Sequence, residues 1–265
     1  MMKKVTLLLL LAGMSPFLKS QVKMKPAADG AILLGGVATA ISVYVLLDSH
    51  TPLSLHELSM ADPNSVNLFD KSATRQSAAG LEDFADYAMI AAFSGGIPLL
   101  FSENARQSGW VITVMAAETV LWAATLPQIT KIAFPRNRPF VYNADFSPES
   151  KMEQRARESF FSRTTTMAFA GAVFSSRLFE MFYPGSEYKY WVWGGSLALA
   201  GSAGYFKYRS GQHFPTDVII GAAVGSFIGW VIPHIHQNDK KKQDLTTGFA
   251  FLPGKGACLH ISFQF

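Results

Sequence analysis

Six long apolar segments, separated by polar stretches, constrain the fold of this chain more than any other feature. They lie at about 30–47, 85–101, 110–129, 165–182, 190–205 and 218–235. Each is close to the roughly 20 residues that a helix needs to cross a bilayer, although the second and the fifth are short. The sequence therefore predicts an all-α fold, a bundle of six helices embedded in a membrane.

The composition agrees with a membrane protein. Hydrophobic residues make up 49% of the 265 residues, and charged residues make up only 16%. The mean hydropathy is +0.18, which is high for a soluble chain. A formal net charge of +4, without a basic face, does not indicate nucleic acid as a partner. The single cysteine, Cys258, excludes an intrachain disulfide and a metal site built from several cysteines.

Both ends of the chain differ from its apolar centre. Residues 1–20 carry two lysines and then an apolar run, the pattern of a secretory leader, with an uncleaved anchor as the alternative. Residues 246–265 alternate apolar side chains about a Pro-Gly turn, which predicts a short β-hairpin-like tail. We therefore divide the chain into a leader (1–20), a first apolar helix with a polar loop (21–84), a main domain (85–236), and a basic linker with the hairpin (237–265).

The orientation in the membrane has two conflicting indicators. Three consecutive lysines at 240–242 favour a cytoplasmic tail after the sixth segment. A cleaved leader followed by six crossings would place that tail outside instead. Either the leader is not exported or the first apolar segment does not span the membrane.

Buried polar residues need partners in such a bundle. Glu118 lies inside the third apolar segment, where a carboxylate must face other helices, and we expect a structural pairing, for example with Arg177. His234 and His236 are two residues apart and point in different directions on a helix, so they do not indicate a metal pair. A ladder of glycines at 221, 225 and 229 lies on one helix face and predicts close helix contact.

The polar stretch 207–217, between the fifth and sixth segments, is the first candidate for chemistry. His213 and Asp217 are four residues apart, and Pro215 stands where a helix can begin. A carboxylate so placed can orient an imidazole, which can then attack phosphorus if cations hold the phosphate oxygens. The alternative is a simple turn before an apolar helix.

Two further polar clusters, at 131–139 and 159–164, also lie at ends of apolar segments. If segments three to six alternate in direction, these clusters and the stretch 207–217 all face one side of the membrane. The sequence therefore predicts that one site is assembled from three separate clusters.

Together the three clusters resemble the signatures of the type 2 phosphatidic acid phosphatase (PAP2) superfamily, whose fold is shared with vanadium haloperoxidases. Lys131 to Pro139 matches the first signature, Lys-x6-Arg-Pro. Lys207 to Asp217 is similar to the third, Arg-x5-His-x3-Asp, with lysine in place of arginine. The middle signature, Pro-Ser-Gly-His, corresponds to Phe-Ser-Arg-Thr at 161–164. The resemblance covers about 85–236, the domain expected to carry the phosphatase fold.

This resemblance implies a role for each matching residue. His213 would be the nucleophile that forms a phosphohistidine, and Asp217 would orient it and balance its charge. The phosphate oxygens would be bound by four residues: Lys131, Arg138, Ser162 and Lys207. The resemblance implies no cofactor and no metal. The substrate would be a membrane lipid phosphate or a polyprenyl diphosphate, hydrolysed at the extracytoplasmic side of the cell envelope; the sequence does not indicate an oligomeric state.

The departures from the family pattern are equally specific. The family's middle histidine protonates the leaving alkoxide, and Thr164 in its place cannot act as a general acid near neutral pH. Arg163 replaces a glycine beside the phosphate, and Lys207 offers a point charge where arginine offers two parallel hydrogen bonds. We therefore expect an impaired phosphatase. The alternatives are a non-catalytic protein that binds phosphate lipids, or less favoured, a vanadate-dependent haloperoxidase.

Overall fold

The computed structural model describes residues 21–48, 51–78, 80–238, 246–252 and 256–262. The described part contains six long helices: α1 (Pro26–Asp48), α2 (Leu81–Ser94), α3 (Gly109–Ala133), α4 (Arg163–Phe182), α5 (Lys189–Arg209) and α6 (Pro215–His236). Two short strands, β1 (Thr246–Leu252) and β2 (Gly256–Ser262), pair antiparallel in the tail. The predicted leader lies outside the described residues.

Short helical turns occupy the connections between the long helices. Three are α-helical: Leu55–Ser59, Glu103–Arg106 and Pro148–Lys151. Five are 3-10 turns: Pro63–Ser65, Lys71–Arg75, Ile97–Phe101, Pro139–Tyr142 and Gln154–Arg157. The prediction of an all-α membrane bundle is thus confirmed, and each of the six predicted apolar segments contains a helix.

Four helical stretches in the described part are long and apolar enough to cross a membrane: Pro26–Leu47, Leu81–Phe101, Gly109–Ala133 and Pro215–His236. α4 and α5 do not meet that criterion of composition, although we predicted six crossings. The reason is clearest for α4, which packs against α2, α3, α5 and α6 at once. A helix enclosed by its neighbours has little contact with lipid, so it can carry serine, threonine and charged side chains.

Large apolar side chains cover the outside of the bundle. Leu34 and Tyr44 on α1 are 74% and 78% exposed, and Phe227 on α6 is 63% exposed. Such a surface is suited to lipid rather than water. Aromatic residues at the starts of α3 and α5, Trp110 and Trp191, are also exposed, as side chains at a membrane interface are.

The glycine ladder of α6 lets that helix lie directly against the backbone of α4. A Cβ atom added to Gly225 would lie 2.2 Å from the carbonyl oxygen of Thr166. One added to Gly229 would lie 2.3 Å from the carbonyl oxygen of Ala170. Any larger residue would force the two helices apart, so close packing explains the predicted ladder.

The start of α1 lies beside the end of α6. The backbone N–H of Lys23 donates to the carbonyl of His236 over 2.9 Å, and that of Asn238 donates to the carbonyl of Gln21, also over 2.9 Å. The first described residues and the residues that follow α6 are therefore on the same side of the bundle. The ends of α3 and α5, and the starts of α4 and α6, lie on the other side.

The polar loop that follows α1 closes this second side. Leu53 packs there in a small buried cluster with Phe140, Val141 and Ala156. The loop then reaches the turn after α5, where the N–H of Ala78 donates to the carbonyl of Arg209 over 3.1 Å. It thus forms part of the wall around the polar helix ends.

The expected pairing of Glu118 with Arg177 is wrong. Arg177 forms an ion pair with Glu180, one turn further along α4, at 2.6 Å. Glu118 instead faces His236, with its Oε2 3.7 Å from the ring Nε2. Sequence spacing does not indicate His236 as the neighbour of Glu118, because the two lie on helices distant in sequence that packing brings together.

Candidate active site

The end of α3 supplies the first cations of the site. The helix ends at Ala133, just before Pro135, which disfavours helical backbone at the preceding residue. Lys131 in the last turn is only 4% exposed, and Arg138 is 8% exposed. The backbone N–H of Arg138 donates to the carbonyl of Ala156 over 2.8 Å, and its guanidinium donates to the side chain of Gln212. Arg138 is thus held in place by a neighbouring backbone carbonyl and a side chain, and Lys131 is buried beside it in the last turn of α3.

A tight turn between α5 and α6 positions His213. Gly211 has a φ of +71°, and a Cβ atom there would lie 2.4 Å from the carbonyl oxygen of Gln76. Only glycine combines that backbone conformation with so close an approach. α6 then begins at Pro215, where the N–H of Phe214 donates to the carboxylate of Asp217 over 2.9 Å. His213 is therefore fixed just before the start of the helix.

The imidazole of His213 is oriented by a backbone carbonyl. Its Nδ1 lies 2.9 Å from the carbonyl oxygen of Ser159, which can only accept, so Nδ1 carries the hydrogen. The carboxylate of Asp217 is 3.7 Å from the same nitrogen, too far for a hydrogen bond. Nε2 is left with a free lone pair, as a nucleophile requires. Asp217 acts on His213 by its charge across that distance, and Ser159 holds the carboxylate in place, since its hydroxyl donates to it over 2.5 Å.

Arg136 is a residue of this site that the sequence interpretation missed. Its guanidinium lies 2.7 Å from Asp217 and 2.7 Å from Asp70, and it stacks 4.0 Å over the ring of Phe214. Asp70 also accepts from the backbone N–H of Thr216 over 3.0 Å. Its position between Lys131 and Arg138, two residues of the first signature, was a weak indication that Arg136 belongs to the site. Nothing in the sequence pointed to Asp70, which lies in the polar loop.

Hydrogen bonding sets the charge of Asp70. Burial raises the pKa of this carboxyl, but hydrogen bonds from Asn67, Arg136 and Thr216 outweigh it and hold the pKa below its usual range. Arg136 thus lies between two carboxylates, and the negative charge of Asp217 is shared with it rather than devoted to His213.

The middle cluster lies at the start of α4. Ser162 is fully buried and caps the helix, with its Oγ accepting from the N–H of Thr165 over 3.3 Å. Arg163 is exposed in the first turn. The hydroxyl of Thr164 donates to the carboxylate of Asp86, on α2, over 3.1 Å. The position of the family's acid is therefore occupied by a hydroxyl that is already hydrogen-bonded.

Lys207, at the arginine position of the third signature, is held by acidic side chains. Its ammonium lies 3.1 Å from Asp86 and 3.6 Å from Glu82. The same ammonium donates to the backbone carbonyl of Glu82 over 3.3 Å. Both acidic residues belong to the first turns of α2, and neither was predicted as part of the site.

These side chains enclose a cavity of about 200 Å³. Six of the eight predicted site residues line it: Lys131, Arg138, Arg163, Thr164, Lys207 and His213. Ser162 and Asp217 lie behind its wall, and five further residues join the lining: Glu82, Asp86, Gln128, Arg155 and Glu158. The lining thus contains five cationic and three acidic side chains, apart from His213. The starts of α4 and α6 also lie here, and helix N-termini favour anions.

The cavity keeps His213 neutral. Burial is the main cause that lowers the pKa of His213 to about 4, and the nearby cations Arg138 and Lys131 act in the same direction. Burial also lowers the pKa of Arg138 to about 10, with help from Arg155, which leaves the guanidinium charged at neutral pH. A neutral imidazole beside charged cations is the state that a phosphorus-directed nucleophile needs.

The fold and the site define a class: a helical membrane bundle with a histidine and several cations at one polar end. Comparison with known families gives the next step. The chain belongs to the PAP2 superfamily, whose model matches residues 107–241. This agrees with the resemblance carried by the three signatures.

A search of solved structures found one similar chain. The chain is similar to the crystal structure of the first transmembrane PAP2 type phosphatidylglycerolphosphate phosphatase from Bacillus subtilis. The two share 18% sequence identity over 76% of this chain and 94% of that chain, with a TM-score of 0.45. No curated protein sequence matches this chain.

Proposed function

We propose that this protein is a membrane lipid-phosphate phosphatase that acts through a phosphohistidine on His213, within a phosphatase domain at residues 85–236. The observation that carries the proposal is the imidazole itself. Its Nδ1–H is held by the carbonyl of Ser159 at 2.9 Å, so the lone pair of Nε2 remains for attack. The low pKa, about 4, keeps that lone pair available at neutral pH.

The proposed reaction has two steps. In the first, Nε2 of His213 bonds to phosphorus, the bond from phosphorus to the leaving oxygen breaks, and the imidazole becomes positively charged. The carboxylate of Asp217, 3.7 Å from the ring, stabilises that charge. In the second, water attacks phosphorus, the P–N bond breaks, and neutral His213 and inorganic phosphate are released. Lys131 and Arg138 bind the phosphate oxygens throughout, and the N-terminus of α4, which Ser162 caps from behind the cavity wall, favours the anion.

The first step lacks a proton donor for the leaving group. A poor leaving group departs as an alkoxide and needs a proton, and Thr164 cannot supply it. Asp86 is the carboxyl group that contacts Thr164, but its ion pair with Lys207 makes it an acceptor of hydrogen bonds rather than a donor. The site therefore favours substrates whose leaving group departs without a proton, such as diphosphates. The same contacts favour a second candidate, a non-catalytic phosphate-lipid binding protein.

An apolar cavity supports a lipid as the substrate. It has a volume of about 370 Å³ between α2, α3 and α4, and its lining includes Met89, Val120 and Met167. At 1.5 Å per helical residue, Met89 lies about 10 Å below Glu82, and Val120 about 16 Å below Lys131. An acyl or prenyl chain below a phosphate bound in the site would reach this cavity.

We further propose that the site faces the extracytoplasmic side. The side of the bundle opposite the site carries Lys23, Lys25, Arg106 and Lys189, and in the sequence three lysines at 240–242 follow α6. The basic residues of the other side, such as Lys71, Arg75 and Lys151, belong to the polar loops around the site. Lysine and arginine favour the cytoplasmic side. Because the start of α1 and the end of α6 lie together, this orientation requires that the leader does not carry the start of α1 across the membrane.

Labelling of single cysteines tests the orientation. In a Cys258→Ser background, a membrane-impermeant maleimide should label Ala144→Cys in intact cells, because Ala144 is exposed beside the site. Gln107→Cys, exposed on the opposite side, should react only after the cells are lysed. The reverse pattern would place the site in the cytoplasm.

Trapping the phosphoenzyme tests the catalytic proposal. Purified protein in detergent, mixed with a ³²P-labelled diphosphate lipid and quenched after a few milliseconds, should carry a label that is stable to base and labile to acid. His213→Ala should carry none, whereas His234→Ala, a matched change of an exposed histidine, should be labelled normally. Unlabelled wild-type protein that still binds the lipid would support the binding function instead.

A further inference from the structure

A second cluster of ionisable groups lies at the end of the bundle remote from the phosphate site. It joins Asp29 of α1, Glu118 of α3 and His236 of α6, which are 3%, 0% and 0% exposed. His236 is 19 residues beyond Asp217 on α6. At 1.5 Å per residue the two are about 28 Å apart, so this cluster is separate from the phosphate site.

The histidine ring in this cluster has an unusual environment. Its Nδ1 lies 2.9 Å from the carbonyl oxygen of Ile232, so this nitrogen carries a hydrogen. Nε2 faces Asp29 Oδ1, 2.9 Å away, and Glu118 Oε2, 3.7 Å away. Two carboxylate oxygens that lie within 4.8 Å of each other repel unless a positive charge, a metal ion or a proton on the ring, lies between them.

Glu118 provides an independent observation. Both of its carboxylate oxygens are buried, and neither has a hydrogen-bond donor within the described part of the chain. Buried carboxylates are otherwise hydrogen-bonded, paired with a cation or bound to a metal. The side chain is aimed at His236 and Asp29, so the missing partner belongs between these three residues.

The spacing suits a metal ion. One ligand atom from each residue can be chosen so that all lie within 4.8 Å of one another. Zinc bonds of about 2.0–2.1 Å place tetrahedral ligand atoms about 3.4 Å apart. This value lies between the 2.9 Å from His236 Nε2 to Asp29 and the 3.7 Å from the same nitrogen to Glu118. A divalent ion would cancel the charge of the two carboxylates. Imidazole favours a transition metal over Mg²⁺, which prefers oxygen ligands.

Outer contacts also hold the candidate ligands. The second carboxylate oxygen of Asp29 accepts from the backbone N–H of Lys25 over 2.9 Å, and Ile232 fixes the ring of His236. Such contacts orient metal ligands and set the histidine tautomer. The sequence interpretation considered only His234 with His236 and did not favour a metal pair there; the cluster uses a different set of residues.

We propose that Asp29, Glu118 and His236 form a structural site for a divalent transition-metal ion of the Zn²⁺ class. The ion would join α1 to α3 and α6, and so fasten the N-terminal helix to the bundle. The remaining coordination position would be filled by water or by the second oxygen of Glu118. The proposal is independent of the phosphatase function.

Metal content of the whole protein tests it. The chain is purified in detergent through a tag without histidine, and without chelator, and is then dialysed against micromolar Zn²⁺. Wild-type protein should retain about one ion per chain, and Co²⁺ in place of Zn²⁺ should give visible absorption bands of a low-coordinate site. Added Zn²⁺ should raise the melting temperature, because it binds the folded state.

Matched variants locate the ion. Glu118→Gln keeps the size of the side chain and should retain less than about a tenth of an ion, with no shift in melting temperature on addition of Zn²⁺. His234→Gln, at an exposed histidine stacked on Trp230, should bind like wild type. Asp29→Asn serves as a second ligand variant if Glu118→Gln does not fold. The proposal would be overturned if wild-type protein retained no metal after dialysis, or if a folded ligand variant retained as much as wild type. Absence of metal from the wild-type protein would mean that protons balance the charge of the two carboxylates.

Discussion

Restoring a leaving-group acid is the most informative perturbation of the phosphate site. The change is Thr164→His together with Arg163→Gly, which recreates the family's middle signature. Thr164 lines the cavity that also contains His213, and its hydroxyl contacts Asp86 at 3.1 Å. An imidazole at this position can donate one N–H to Asp86 and present the other to the leaving oxygen. The existing carboxylate would thus orient the new acid.

The expected magnitude depends on the leaving group. A positioned general acid contributes about 10² to 10⁴-fold when the leaving group is poor, or about 3 to 5 kcal/mol of transition-state stabilisation. An alkyl phosphate such as phosphatidic acid should gain by that factor in kcat/KM. p-Nitrophenyl phosphate, whose leaving group needs no proton, should gain by less than about tenfold.

A series of aryl phosphates provides the assay. For wild-type protein, log kcat/KM should fall steeply as the pKa of the leaving phenol rises. In the double variant the dependence should be shallow, because the acid protonates poor leaving groups. Adding Asp86→Asn to the double variant removes the orienting carboxylate and should reduce the gain. Equal gains on all substrates would show that the defect lies in phosphate binding, and no gain on any would refute the reasoning.

Three other predictions concern the same cavity. Arg138→Lys should lower kcat/KM by about 10- to 100-fold for good and poor leaving groups alike, because one or two charge-assisted hydrogen bonds are lost in ground and transition states; unchanged kinetics with reduced yield would indicate a structural role only. The acidic limb of kcat/KM, corrected for ionisation of the substrate, should lie near pH 4 rather than 6.5, since His213 has its pKa lowered to about 4 by burial. Arg136→Gln should move this limb to higher pH, because Asp217 loses its cation partner and then favours protonated His213. A limb at an unchanged pH would show that Arg136 does not share the charge of Asp217.

The same pKa shift makes stability depend on pH. His213 has a folded pKa of about 4 and an unfolded value of 6.5, so the unfolded chain binds the proton first as pH falls. The stabilisation is fully present above pH 6.5 and is lost as the pH falls from 6.5 to 4, by about 3 kcal/mol. His213→Gln should lack this part of the pH dependence when unfolding is followed by circular dichroism.

Local patterns in the sequence predicted the helices and six of the residues that line the candidate site. Apolar length marked all six helices, and the spacing of Lys131, Arg138 and His213 marked side chains that do line one cavity. These features succeed because helix ends and helix faces are determined by nearby residues. α4 does not meet the composition criterion for a membrane crossing, because enclosure by other helices removes the need for an apolar surface.

Contacts between distant segments could not be predicted in this way. Asp70 meets Arg136 across 66 residues of sequence, and Lys207 meets Glu82 across 125. We expected Glu118 to pair with a residue such as Arg177, yet packing brings it to His236. No periodicity specifies which of several polar residues will become neighbours, since that depends on how helices are arranged around one another.

The glycine ladder also restricts how the active site can move. α4 and α6 touch backbone to backbone at Gly225 and Gly229, so no flexible side chain separates them to absorb a shift. The turns that carry Ser162 and His213 begin these two helices, and they should therefore move as one rigid body. The first turns of α2 meet the cavity through Glu82 and Asp86, which contact Lys207 through side-chain ends and one carbonyl, so this end of α2 can move without separating α4 from α6. Amide hydrogens of α2 should accordingly exchange with solvent faster than those of α4 and α6.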